Sequence, residues 1–137
     1  MSTITARTDV ARRGTRINVL LWTVQSLLCA LFLFAGGSKF AMPADKLAAM
    51  SAVPLNFVYF IGCAEILGAL GLVLPGIFRI HRDLTPLAAI GLLIIMVGAT
   101  VITATTGPIA MAAMPFVVGI LATVIAVGRR DWASFLP

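Results

Sequence analysis

The chain has 137 residues, of which 61% are hydrophobic and 11% charged, with a formal net charge of +5 and a mean hydropathy of +1.08. Soluble domains carry about 45–50% apolar and about 25% charged residues, so lipid is the solvent for most of this sequence. Its basic residues form no stripe with aromatic interleaving, which excludes a nucleic-acid interface, and its single histidine, His81, cannot build a structural zinc site or a bis-histidine haem in one copy of the chain.

Residues 1–16 read as a basic tail carrying Arg7, Arg12, Arg13 and Arg16. The first apolar run starts at Ile17, reaches about Phe34, and extends to Phe40 if the glycines at 36 and 37 do not break it. It is longer than the core of a signal peptide and has no A-x-A cleavage box, so it is read as a retained helix. The second run, Leu55 to Leu74, is entered at Pro54 and closed by Pro75-Gly76. The third, Leu84 to about Thr105, begins with Thr85 as a capping hydroxyl followed by Pro86. The fourth, Ile109 to Val127, follows Gly107-Pro108 and contains Pro115, which is expected to kink it. Each run approaches the ~20 residues that span a bilayer. Open strands would leave backbone groups unpaired in lipid, so all four are helices. The expected fold class is therefore all-α: an integral membrane four-helix bundle over residues 17–127, with short tails at 1–16 and 128–137.

Lysine and arginine counts orient the bundle. The first tail, the second loop (Arg79, Arg82) and the last tail (Arg129, Arg130) hold eight, against two, Lys39 and Lys46, in and before the first loop. That asymmetry puts both termini in the cytoplasm of a bacterial cell membrane. Trp22 and Trp132 fit one interfacial aromatic belt and Tyr59 the other. The first loop, about Ala41 to Val53, has Leu47, Met50 and Val53 near helical spacing; it is either a short interfacial helix or an ordered connector.

Glu65 is the acidic residue inside an apolar run. A carboxylate at mid-membrane costs at least about 2.5–3.5 kcal/mol, so it must be paired, protonated or turned toward a cavity. Small residues surround it: Gly62, Ala64, Gly68, Ala69 and Gly71, with Ala64 and Gly68 in the small-x-x-x-small spacing that admits a neighbouring helix. The first run ends in FAGGSKF, so Lys39, with Gly36 and Gly37, lies toward the same outer interface. The long lysine side chain can reach inward. Either Lys39 pairs directly with Glu65, or a water-filled, outward-opening cavity joins them. The pair is then either a structural ion pair or the lining of a functional site, in which Glu65 is the candidate acid or base and Lys39, Gly36 and Gly37 are binding residues. Cys29 and Cys63 fall at comparable depths on neighbouring helices, without a C-x-x-C; embedded cysteines of this kind act as small hydrophobes. Thr100, Thr103, Thr105 and Thr106 can bond backbone carbonyls, and Met96, Met111 and Met114 read as packing residues. No metal-ligating motif, nucleophile elbow or phosphate loop is present.

Three strings in order, LFLFAGGSKF, IGCAEILGALGLVLPG and LTPLAAIGLLIIMVGAT, resemble the DoxX-like family of small bacterial membrane proteins. The resemblance places Lys39 and Glu65 on the family's lysine and glutamate. It implies an accessory membrane subunit linked to a quinone-dependent oxidoreductase or a redox-stress complex, with other membrane or redox proteins as partners. Many relatives carry a histidine in helix three or four where this chain has Met96 and Thr100, a departure that weakens transfer of a redox or metal role. The alternative is a stand-alone binder, carrier or membrane enzyme for a quinone or other small hydrophobic molecule, with Glu65 as polar anchor. The cofactor is unknown, since no motif names one.

Overall fold

A computed structural model describes residues 2–130. Five α-helices follow in order: α1 (Ser2–Ala41), α2 (Ala44–Met50), α3 (Leu55–Phe78), α4 (Leu84–Thr106) and α5 (Ala113–Gly128), with a 3-10 turn, Ile109–Ala112, leading into α5. Four stretches are long and apolar enough to cross a membrane: α1, α3, α4, and the 3-10 turn with α5. α1 packs on α3, α3 on α4 and α4 on α5, and α5 returns to α1, closing an up-and-down bundle.

These helices are apolar all round, as spans in lipid must be. Their outward faces expose Leu27, Phe34, Phe60, Leu67, Ile94 and Phe116. The interior is set by fit. Leu28 and Phe32 of α1, Leu72 of α3, Leu92 of α4 and Ile125 of α5 are almost completely buried in one cluster, with Ala69 and Ala89 as its thin positions. Small residues matter because lipid tails are as apolar as leucine, so close van der Waals packing drives association. The small stripe of α3 serves two neighbours. A Cβ on Gly68 would lie 2.6 Å from Leu92 Cδ2 of α4, and one on Gly36 of α1 would lie 2.8 Å from the Gly62 carbonyl of α3.

Several boundaries differ from the sequence expectations. α1 does not start at Ile17 but runs back to Ser2, so the basic tail is helical as far as it is described. Its Ala and Arg content, with Asp9 spaced to face Arg12 and Arg13, favours a helix that hydropathy does not register. α3 does not close at Pro75-Gly76 but continues to Phe78. Pro75 has no N–H to give the Gly71 carbonyl, and Thr85 Oγ1 of α4 donates to that oxygen instead, at 3.2 Å. Thr85 is therefore an inter-helix donor and not a cap; the N-cap of α4 is Asp83. Pro115 does not kink the fourth span at mid-helix. It falls in the first turn of α5, where an N–H has no intrahelical partner to lose, and the 3-10 turn absorbs the irregularity before it.

The first loop is a helix: α2 buries Leu47, leaves Met50 exposed, and is followed by the turn into Pro54, the N-cap of α3. Thr100, Thr105 and Thr106 donate to the carbonyls of Met96, Val101 and Ile102. Trp132 lies outside the described residues.

Candidate functional site

Lys39 occupies the last turn of α1, where a cation complements the helix dipole. Its Nζ donates to Glu65 Oε2 at 2.6 Å and to the Ala35 carbonyl at 3.2 Å. The direct pair, and not a water bridge, is therefore what the fold makes. Gly62 gives the lysine its path: a Cβ there would stand 3.4 Å from Lys39 Cδ and 3.1 Å from the Phe40 ring. The stem runs over this flat position to Glu65, three residues deeper on the same helix. Phe40 stacks on Tyr59 with ring centroids 5.5 Å apart and covers the outer side.

Gly36 packs against this pair. A Cβ on Gly36 would sit 3.4 Å from Glu65 Cβ as well as against Gly62 and Ile66. One residue on, a helix of 3.6 residues per turn has rotated through more than a quarter of a turn, and a Cβ on Gly37 would meet nothing within 4 Å.

Glu65 is almost enclosed, with 6% of its side chain exposed, while Lys39 keeps 23%. Pairing removes the net charge that makes an isolated mid-membrane carboxylate so costly. Two of the three ammonium donors are committed to Glu65 and Ala35. The third is not committed to either of these partners, on a side chain that keeps 23% of its surface exposed. Chemically, the arrangement can hold a hydrogen-bond acceptor at the edge of the pair.

A second polar cluster lies at the other end of the bundle, and sequence reasoning missed it. Gln25 of α1 is fully buried and donates through Nε2 to the Leu72 carbonyl of α3 at 2.5 Å. Its Oε1 accepts from Arg129 Nε at 2.7 Å, and Arg129 Nη1 donates to Asn18 Oδ1 at 2.8 Å. The Arg129 guanidinium also lies over the Trp22 ring, 5.5 Å from its centroid. Burial, and then the positive charge of Arg82, lower the pKa of Arg129 from its ordinary value. The available signal was Gln25 itself, the sole glutamine of the chain, set within an apolar run.

Met96 and Thr100 line an apolar groove of about 370 Å³ between α4 and α5, together with Leu93, Pro115, Phe116 and Gly119. Cys29 is partly buried, Cys63 is exposed, and both are free thiols. Among the described residues no group of three or more His, Cys, Asp or Glu side chains is placed to hold a metal ion.

Four apolar spans closed into one bundle, with a lysine–glutamate pair between the first two, define a multi-pass helical membrane protein. The chain belongs to the DoxX-like family, whose model matches residues 23–125. That range covers the ion pair, Gln25, the second and third spans in full, and parts of the first and the last. Comparison with curated proteins and with solved structures gives no significant match.

Proposed function

We propose that this protein is an accessory membrane subunit that holds a quinone, or a comparable small hydrophobic carbonyl compound, at Lys39 and Glu65 on behalf of a quinone-linked oxidoreductase or redox-stress complex. One observation carries the reading. Lys39 Nζ is fixed by Glu65 Oε2 and the Ala35 carbonyl and has a third donor, and the lysine side chain is partly exposed on an apolar bundle. A quinone carbonyl is an acceptor that such a donor suits, and its ring and tail suit the apolar helix faces. Glu65 then positions the lysine, and Gly36 and Gly62 keep the helices close enough for the pair to form.

The test uses the full chain in detergent. A short-chain quinone should raise the unfolding temperature of the wild-type protein and leave Lys39→Met unmoved. No shift in the wild type, or an equal shift in the variant, rejects the reading.

The eight-to-two distribution of basic residues supports a cytoplasmic location for both termini, in a bacterial cell membrane. Reporter fusions at Asp45 and Arg130 should then report opposite compartments; the same compartment for both overturns that orientation.

A further inference from the structure

The end of the bundle opposite Lys39 holds a cavity of about 330 Å³, walled by Asn18 and Trp22 of α1, Gly76 near the end of α3, Arg79 and Arg82 of the α3–α4 turn, and Arg129 beyond α5. We propose that this cavity binds a phosphate group, carried by an anionic lipid headgroup or by a small soluble phosphate. The site is separate from the Lys39–Glu65 pair and does not depend on the function proposed for that pair.

Three guanidinium groups from two distant stretches of chain converge on this one small space. Arg129 is 5% exposed and rigidly set: Gln25 and Asn18 accept from it through amide oxygens, Trp22 lies beneath it, and Gln25 is itself fastened to the Leu72 carbonyl. A guanidinium held in this way is a fixed positive charge in the cavity wall, and the exposed Arg79 and Arg82 are the side chains that can donate to phosphate oxygens. The cavity falls at the small end of ligand sites, which run to about 300–1,000 Å³.

Helix dipoles account for part of the charge only. Arg79 and Arg129 cap the C-termini of α3 and α5, where cations are favoured. Arg82 instead precedes the N-terminus of α4, where a cation is disfavoured, and its charge also works against that of Arg129. A bound anion relieves both conflicts. Arg79 further adopts the left-handed conformation, φ 55° and ψ 30°, at a position where glycine would be unstrained, and His81 follows with φ 47°. The turn thus tolerates strain while Arg79 and Arg82 line the same cavity. Ile77 and Phe78, beside Gly76 on the last turn of α3, are exposed and offer an acyl chain a surface next to the headgroup. Basic pockets between spans are a recurrent device for holding anionic headgroups.

The experiment uses the full chain in detergent. Native mass spectrometry compares retention of phosphatidylglycerol and phosphatidylcholine, and thermal unfolding is followed with and without inorganic phosphate. Wild-type protein should retain phosphatidylglycerol over phosphatidylcholine, and Arg79→Gln/Arg82→Gln should weaken that retention by about tenfold or more. Lys46→Gln, on α2, should not. Both arginine side chains are exposed, and the unfolding temperature of the double variant without ligand is the baseline for its comparison; should it not fold, Arg82→Gln alone gives the same comparison. Stabilisation by inorganic phosphate that the arginine variant loses, with no preference between the lipids, makes the ligand a soluble phosphate. If neither lipid nor phosphate distinguishes wild type from the arginine variant, or if Lys46→Gln is equally impaired, the proposal is wrong.

Discussion

Gln25 and Arg129 are 104 residues apart in sequence and 2.7 Å apart in space, joining the first span to the end of the last. Because Gln25 also donates to the Leu72 carbonyl, one amide ties together α1, α3 and the residue that closes α5. Replacing Gln25 by leucine removes an acceptor from a buried cation and a donor from a backbone carbonyl. Leaving such groups unsatisfied costs about 1–3 kcal/mol, and more where one is charged. Gln25→Leu should therefore unfold in detergent at a clearly lower temperature than the wild type, although leucine is the more lipophilic residue. An unchanged unfolding temperature would show that water or the tail replaces the amide.

Lys39 and Glu65 should behave as a coupled pair. Breaking a buried ion pair from one side typically costs about 3–5 kcal/mol. The 23% exposure of Lys39 lets water compensate in part, so Glu65→Gln is expected to cost less than Lys39→Met, which strands the more buried carboxylate. The double variant should recover part of the combined loss. Strictly additive losses in unfolding free energy would mean that the 2.6 Å contact contributes no coupling.

Thr85→Val should cost about 1 kcal/mol, because it withdraws the hydroxyl that serves the Gly71 carbonyl. Pro75→Ala restores a helical N–H to that same oxygen. The two changes together should therefore be less damaging than Thr85→Val alone, provided that α3 keeps its path. A double variant weaker than Thr85→Val would show that the proline shapes the helix in some further way.

Gly36→Ala and Gly37→Ala are adjacent and should differ sharply. The first drives a methyl group to 2.8 Å from the Gly62 carbonyl and from Ile66 Cγ1. Overpacking of this kind costs about 1–3 kcal/mol, and it should also separate Lys39 from Glu65. The second meets open space and should be neutral or slightly stabilising. Unfolding temperatures of the two proteins, measured side by side, decide the matter; equal effects would contradict the packing described here.

Some of this was legible in the sequence and some was not, for physical reasons. Glu65 stood out because the cost of an isolated carboxylate in lipid forces a solution, and Lys39 was the cation closest to it along the outer end of the neighbouring span. The four spans followed from hydropathy, whereas the spacing of Leu47, Met50 and Val53 left the first loop open between a short helix and a connector. The Gln25–Arg129 cluster was missed because a neutral amide costs less to bury and gives a weaker signal. Arg129 had also been read with its neighbours as a mark of orientation. The start of α1 was missed because hydropathy measures preference for lipid, whereas residues 3–16 are helical and exposed. The role of Thr85 depended on Pro75, ten residues earlier on another helix, a relationship visible only once α3 and α4 are packed.

The length of α1 has a mechanical consequence. Forty residues at 1.5 Å each make a rod of about 60 Å, twice the roughly 30 Å of hydrocarbon that a span must cross. No proline interrupts it before Pro43. Residues 3–16 are exposed, while the rest of the helix packs on α3 and α5 and carries Lys39 in its last turn. Because the rod is unbroken, a load placed on residues 3–16 should reach the turn that carries the ion pair as tilt of the whole helix.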